Sequence, residues 1–265
     1  MGSTSLKNRL NEKIAKTPDT TNDVSENNLT QETAIVPFTS DYIALTNNAL
    51  GIINENLKNQ PLSFYLFDVV KSPSGGITSF SVPGLAGDNM EKELVGIILD
   101  YTTPRAFWDT QDPVEGTPPV CYSRDSIISH EGKPCNRCVY NEFGSKINGN
   151  GSESNGKACK ESVHIFLLRP DNIMPIIVRV PVSSKIIFQR YMTRLIGRMI
   201  PLSGVVTRIT LEKATSRDGK PYALYNFEAV NTLSPDETSM AKAFGQKFME
   251  ILTADDIGST IVEAA

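Results

Sequence analysis

The run VVTRITLEKATSRDGKPYALYNFEAV, residues 205–230, decides the fold of this chain. Val205, Thr207, Ile209 and Leu211 alternate with Val206, Arg208, Thr210 and Glu212, which is the period of a β-strand. Asp218-Gly219 is a strong signal for a tight hairpin turn. Pro221–Val230 then continues as a second strand, so the run predicts an antiparallel hairpin.

Upstream of this hairpin, one helix and three more strands are predicted. Ser183–Met199 has helical periodicity and ends before Pro201, and its predicted apolar stripe consists of Phe188, Met192, Leu195, Ile196 and Met199. The three strands are Leu94–Tyr101, Val163–Arg169 and Ile173–Val182. The order strand, strand, strand, helix, strand, strand is that of an OB-fold, a five-stranded Greek-key barrel. Another small antiparallel barrel or sandwich with the same helix is the alternative.

The predicted fold class is therefore mainly β with flanking α-helices, an OB-fold-like five-stranded barrel with a zinc-binding insertion between strands 1 and 2. Its first segment is polar, has little apolar material to bury and is expected to be disordered. The predicted domains are a disordered tail at 1–33, an N-terminal helix and β-hairpin packing on the core at 34–90, an OB-like nucleic-acid-binding domain at 91–233 with a zinc loop at about 117–160, and a C-terminal helix with an acidic tail at 234–265.

All four cysteines of the chain fall inside the predicted insertion: Cys121, Cys135, Cys138 and Cys159. The pair Cys135-Asn-Arg-Cys138 allows two thiolates to reach one tetrahedral ion, and two further cysteines complete a four-thiolate site. The insertion is polar and glycine-rich, so a metal cross-link would supply folding energy that it lacks. A closed four-thiolate site predicts structural Zn²⁺. A redox pair, disulfides, unligated buried thiols, or His130 in place of one cysteine are the alternatives; His164 lies in an apolar strand and reads as a packed core residue.

Composition and charge restrict the function further. The chain has 265 residues and a net charge of −4, without an apolar run long enough for a membrane helix or a signal-peptide core at its N-terminus. These features predict a cytoplasmic protein that does not enter a membrane. The stretch Lys157–Lys220 nevertheless holds twelve basic and four acidic residues. A basic centre in an acidic chain focuses positive potential on one surface, although a merely solvated charged surface remains an alternative.

The predicted ligand surface follows from the fold. In an OB-fold the ligand lies over strands 2 and 3, between the loops that join strands 1 to 2 and 4 to 5. Binding of single strands requires cations along a groove and aromatic rings on which bases stack. The candidate cations are Arg124, Arg137, Lys146, Lys157, Lys160, Arg179, Arg208, Arg217 and Lys220. The candidate stacking residues are Tyr122, Tyr140, Phe143 and Tyr222, with core packing as the alternative for each. Arg190, Arg194 and Arg198 form a basic helix stripe, which is either a solvated face or a surface that contacts phosphate or a partner groove.

Several short motifs resemble a group of bacteriophage and mobile-element single-stranded DNA-binding proteins. They are CYSRDS at 121–126, CNRC at 135–138, NEFGS at 141–145, GKACK at 156–160, Arg169-Pro, and VPVSS at 180–184. The plan is also similar to that of the zinc-containing single-strand binding protein of T-even phages, which carries a zinc-bearing segment within an OB-fold. This chain differs by offering four cysteines and no ligand histidine. Its C-terminal tail is also less acidic than many partner-binding tails.

The resemblance implies a non-enzymatic protein that protects or presents single-stranded DNA in phage-type replication or recombination. It would act in the bacterial host cytoplasm, with replication or recombination proteins as further partners. A zinc-braced interaction or assembly protein is the second hypothesis, and a nuclease or polymerase accessory subunit is the third. The sequence holds no P-loop, Rossmann glycine motif or zinc-protease helix, and it leaves the oligomeric state open.

Overall fold

The secondary structure of the described residues is dominated by strands. The computed structural model describes residues 42–45, 49–58, 60, 66–70, 74–110, 117–147, 151, 153–216 and 219–251. All of them belong to the compact unit Pro37–Ala265. The predicted tail at 1–33, the acidic tail and Arg217 lie outside the described residues.

The strands are β1 Val69–Val70, β2 Phe80–Val82, β3 Asn89–Glu91, β4 Glu93–Thr102, β5 Arg105–Phe107, β6 Cys121–Ser123, β7 Lys146–Ile147, β8 Glu153–Ser154, β9 Lys160–Leu168, β10 Ile176–Pro181, β11 Val205–Thr215 and β12 Pro221–Thr232. The helices are α1 Ala49–Leu57, α2 Val182–Ile196 and α3 Pro235–Ile251. The described part of the protein is thus mainly β, with a curled half-barrel sheet and three helices.

The main sheet has the strand order β1-β10-β9-β4-β11-β12. Its five long strands pair with one another in antiparallel fashion, while the short β1 joins β10 in parallel. These five are the strands expected from the sequence, and they lie in the spatial order third, second, first, fourth, fifth. The close approach of the first two explains Gly96: a Cβ there would lie 2.3 Å from the carbonyl oxygen of Leu168.

Helix α2 covers the free edge of β12, the fifth of these strands. Within the described part of the chain, β12 pairs with β11 and with no second strand. The Tyr225 backbone N–H on its other edge donates to Ser184 Oγ of α2 at 3.0 Å. Tyr191 Oη and Thr207 Oγ1 are 2.8 Å apart beneath the same helix. A helix therefore occupies the side where a β10–β12 pairing would have closed a barrel.

The buried stripe of α2 differs from the predicted one. Its buried residues are Ser184, Phe188, Tyr191 and Leu195, while Ile196 and Met199 are exposed. The prediction that Ile196 and Met199 face the core was wrong, because the helix turns its polar Ser184 and the amphipathic Tyr191 inward to bond the sheet.

Two hydrophobic clusters stabilise the two faces of the sheet. One includes Phe166, Trp108 and the α3 residues Phe244 and Phe248; the other includes Phe188, Tyr225 and Phe227. In α3, Gly245 allows close packing, since a Cβ there would lie 3.2 Å from the Leu99 carbonyl oxygen. None of the described helices is long and apolar enough to cross a membrane.

Candidate nucleic-acid interface and cysteine cluster

The segment between β4 and β9 is attached to the sheet through β5. Strand β5 pairs with β6, placing Phe107 opposite Cys121, and also with the start of β9, placing Ala106 opposite Lys160. Cys121 is thus on an outer strand, and Cys159 immediately precedes β9. This pairing brings the two ends of the predicted zinc loop together, as a cross-linked loop requires.

The central cysteines lie on a tight turn. Cys135–Arg137 forms a 3-10 turn, and the Cys138 N–H donates to the Cys135 carbonyl oxygen at 3.4 Å. Asn141 Nδ2 donates to the same oxygen at 2.9 Å. The Cys159 N–H donates to the Tyr140 carbonyl oxygen at 2.8 Å. Hydrogen bonds from the Asn141 side chain and from the Cys159 N–H to backbone carbonyls therefore connect the turn to the last cysteine through residues 140 and 141, independently of any metal.

All four cysteines border one cavity of about 410 Å³, and all four are free thiols. Across the described residues, no group of three or more His, Cys, Asp and Glu side chains is arranged to hold a metal ion as it stands. Cys135 and Cys159 are buried, while Cys121 and Cys138 are half-buried. The four donors therefore share one cavity without forming a closed cluster.

Electrostatics shows that the thiols are close enough to influence one another. Burial raises the pKa of the Cys159 thiol to about 12; the Arg105 guanidinium opposes this shift, and the other three cysteines add to it. Burial also raises the pKa of Cys121, with Cys138 the next contributor. A bound divalent cation reverses such shifts, because it deprotonates coordinating thiols. In chemical type and location, the donor set fits Zn²⁺.

Beside the cysteine cavity lies a second cavity of about 550 Å³, here called the basic cavity. It is lined by the end of β10, the start of α2, the start of β9 and the cysteine-bearing segment. Among the residues that the structure describes, its charged lining consists of Arg105, Lys146, Lys157, Lys160, Arg179 and Glu161. Five cations therefore face one carboxylate, and that carboxylate is paired with Arg105 Nη2 at 2.9 Å and with Lys185.

Two aromatic residues border the same cavity. The Phe143 side chain is 81% exposed, and Lys157 Nζ lies 4.7 Å from its ring centroid. Trp108 is buried, donates from Nε1 to the Thr117 carbonyl oxygen at 2.9 Å, and has Lys160 Nζ 5.8 Å from its ring. An adjoining cavity of about 280 Å³ shares Trp108, Lys146 and Lys160 and adds Phe107 and Tyr140.

The other predicted stacking residues have different environments. Tyr140 stacks on Phe107 with ring centroids 3.8 Å apart, and Tyr122 stacks on His130 at 4.5 Å. Each ring thus already has one face covered. His130 does not line the cysteine cavity, which argues against His130 as a substitute ligand. Tyr222 lies on β12, on the face opposite the buried Tyr225.

The structure gathers part of the predicted cationic set and disperses the remainder. Lys146, Lys157, Lys160 and Arg179 meet at the basic cavity, while Arg137 borders the cysteine cavity. Arg208 is paired with Glu93 and Glu228, each at 3.2 Å. Arg124 and Lys220 are exposed elsewhere. Arg190 and Arg194 of the stripe are exposed on α2, and Arg198 is exposed just after the end of the helix.

Sequence reasoning missed Arg105, Trp108 and Glu161 at the basic cavity. Burial lowers the pKa of Arg179 there to about 10, so its charge is also incompletely hydrated. Arg105 and Trp108 lie between two expected strands. The one feature of the sequence that could have drawn attention to them is that an arginine lies three residues before the chain's single tryptophan. The packed-core reading of His164 agrees with its complete burial and its Nε2 contact of 3.1 Å with Ser162 Oγ.

No protein-family model, curated protein or solved structure matches the chain.

Proposed function

We propose that this protein binds single-stranded DNA without catalysing a reaction, and that the strand lies across the basic cavity. The observation that carries the proposal is the described lining of this cavity, which holds five cations, one paired carboxylate and the exposed ring of Phe143. Cations along a groove follow the phosphates, and an exposed ring accepts an unpaired base. A duplex keeps its bases stacked internally, so such a ring favours single strands.

An OB-type architecture is part of this proposal. Support comes from the strand order, because the order third, second, first, fourth, fifth is that of an OB barrel opened between its third and fifth strands. The basic cavity lies at the ends of the second and third strands, beneath the insertion between the first and second. That location is where this fold type binds oligonucleotides.

A structural zinc ion is the second part of the proposal. Cys121, Cys135, Cys138 and Cys159 would hold it, and their shared cavity and mutual pKa influence support that assignment. When bound, zinc supplies cross-linking energy to a segment with little core of its own. The protein's part is to present four thiolates; Asn141 and the turn at Cys135 orient two of them. By analogy with phage proteins, the role would be protection or presentation of DNA in replication or recombination.

The test is a salt-dependent titration of labelled oligothymidylate with the full chain. Lys146→Gln and Lys157→Gln should each weaken binding and reduce the magnitude of the log–log salt slope by about 0.7, one phosphate contact on a single strand. Phe143→Ala should cost about 1–3 kcal/mol of binding free energy and leave the slope unchanged, since stacking involves no phosphate.

Lys242→Gln is the matched control, because Lys242 is an exposed lysine on α3 and does not line the basic cavity. Undetectable single-strand binding at low salt would refute the proposal. Equal affinity for single strands and duplex would be consistent with phosphate contacts at the basic surface but would contradict base stacking in the groove. Lys220→Ala and Tyr222→Ala then test whether the strand extends to the β11–β12 hairpin.

An interaction or assembly protein is the second candidate. Val182, Ile186, Ile196 and Met199 are exposed on or just after α2, beside the arginine stripe. Exposed apolar residues grouped near one another can mark a protein interface. The interaction or assembly function is supported if the chain binds no oligonucleotide and if Ile196→Ser abolishes self-association or partner binding, measured by sedimentation.

A further inference from the structure

Arg105 is a buried guanidinium whose hydrogen bonds are incomplete. Its side chain is 8% exposed, and Nη2 donates to Glu161 Oε2 at 2.9 Å. Its Nε and Nη1 atoms are buried without a hydrogen-bond partner in the described structure. Buried polar groups nearly always find a partner, and a guanidinium has no uncharged form at neutral pH. Two donor nitrogens of a fixed cation therefore lack an acceptor in the described structure.

The positive charge around Arg105 indicates that this acceptor is an anion. Arg105 lines the basic cavity together with Lys157, Lys160, Pro181 at the N-cap of α2 and Val182, its first residue. Helix α2 is fifteen residues long, and its N-cap Pro181 makes no side-chain capping hydrogen bond. A helix N-terminus carries partial positive charge and favours anions. Among the described residues that line this cavity, Glu161 is the only carboxylate, and it is already shared by Arg105 and Lys185.

We propose that the floor of the basic cavity binds one phosphate group, with Arg105 donating from Nη1. Lys157, Lys160 and the N-terminus of α2 flank the group and supply further positive charge. Phosphate suits this site because its anionic oxygens accept strong, charge-assisted hydrogen bonds from a guanidinium N–H. The assignment deepens the proposed function by placing one phosphate of the bound strand.

The same phosphate chemistry has two sources, an internal phosphodiester or the monoester at a strand end. Arg105 also borders the cysteine cavity, so the thiolate sulfurs are the rival acceptor for its nitrogens. Sulfur is a weak acceptor, and this rival has a separate readout. If the nitrogens served thiolates, Arg105→Lys would change the thiolate absorption of the Co²⁺-substituted protein and leave phosphate affinity unchanged.

The experiment uses Trp108, the only tryptophan of the chain, as an intrinsic reporter on the cavity wall. The full chain is titrated with inorganic phosphate at constant ionic strength, with chloride as the compensating anion. The wild type should show a saturable fluorescence change. Arg105→Lys keeps a charge for Glu161 but loses the planar donors, and it should weaken phosphate binding by about 10- to 100-fold.

Lys157→Gln should weaken phosphate binding in the same direction, which keeps the test valid if Arg105→Lys fails to fold. Lys242→Gln, the exposed lysine on α3, should bind phosphate as the wild type does. Absence of a saturable change in the wild type would overturn the proposal. Equal phosphate affinity of a folded Arg105→Lys variant would also overturn it, most clearly if the Co²⁺ spectrum changes.

Oligothymidylates with a 5′-phosphate, a 3′-phosphate or neither identify the source. If one phosphorylated oligonucleotide binds more tightly than the other two, the site holds a terminal phosphate monoester. If all three bind equally and Arg105→Lys weakens the binding of each, the site holds an internal phosphodiester. Both outcomes support the site. The two proposals fail separately. If the protein binds phosphate but no oligonucleotide, only the proposed function is contradicted. If it binds oligonucleotide and Arg105→Lys does not change that affinity, only the phosphate site is contradicted.

Discussion

At the scale of single residues, burial decides which charges the chain can use. Arg105 and Arg179 lie beside the same cavity, and both are largely withdrawn from water. Arg208 was an equally plausible cation from the sequence, yet Glu93 and Glu228 lie on either side of it. A strand pattern predicts the face on which a side chain lies, but not the charges of the neighbouring strands.

His164 makes the stability of the protein sensitive to acid. Burial, with a smaller contribution from the Arg179 charge, lowers the pKa of His164 to about 3, whereas an unfolded histidine titrates near about 6.5. The folded state therefore favours the neutral ring. The contribution of neutral His164 to the free energy of unfolding is fully present above about pH 6.5 and is lost as the pH falls toward 3. At pH 5 the loss should be about 2 kcal/mol relative to neutral pH.

Urea unfolding of the wild type and of His164→Asn at pH 7.5 and pH 5 measures this contribution. The variant lacks the titrating group, so its unfolding free energy should fall less between the two pH values. Comparing the two proteins removes the acid sensitivity of the carboxylates and thiols, which they share. Parallel losses in both proteins would show that His164 does not carry the effect.

At the scale of elements, α2 takes the place of a strand pairing. Ser184 at the start of α2 accepts the Tyr225 N–H of edge strand β12, and Phe188 and Tyr191 pack on Phe227 of the same strand. The sequence predicted this helix and its bounds closely. Its rotation was predicted only in part, because a helical pattern ranks residues by hydropathy and does not register that a serine satisfies a strand edge.

Ser184→Ala should therefore destabilise the protein by about 1–3 kcal/mol, the cost of leaving a buried N–H without a partner. Ser183→Ala, an exposed neighbour in the same turn, should be nearly neutral. Thermal unfolding measures the difference, and hydrogen exchange at the Tyr225 amide should quicken only in Ser184→Ala. Equal effects of the two variants would contradict the edge-capping role.

The cysteine-bearing segment gives a prediction about composition. The purified protein should contain about one zinc per chain, because four thiols border one cavity. Cys138→Ser should lower the zinc content and the thermal stability together. Asn136→Ala, an exposed residue between the paired cysteines, should retain the metal. Elemental analysis is the measurement, and protein prepared without chelator but free of zinc would contradict the assignment.

At the scale of the whole molecule, the sheet provides most of the stability, whereas the cysteine-bearing segment provides part of the proposed binding cavity. Both hydrophobic clusters are built largely from the sheet and its helices, and neither contains a cysteine. The basic cavity, in contrast, has one wall from the sheet and another from the segment with Phe143, Lys146 and Lys157. Binding should therefore depend on the metal more than overall folding does.

Stripping the metal with a strong chelator should weaken binding to oligothymidylate while the far-UV circular dichroism of the sheet is retained. Binding should return when zinc is restored, which excludes irreversible damage. The measurement is one fluorescence titration before chelation, after chelation and after zinc is added back. Unchanged affinity in metal-free protein would show that the wall of the cavity stands without the ion.

The sequence by itself determined the elements of this protein: the five long strands, the helix between the third and fourth, the final helix and the cysteine-bearing insertion. Local periodicity, turn residues and spacing carry that information, since they act over a few neighbouring residues. Only the tertiary structure decided that α2 covers the edge of β12, that Arg208 is paired, and that Arg105 and Trp108 meet Lys157 and Arg179 at one cavity. Those outcomes depend on contacts between residues far apart in the chain, for which no local pattern exists.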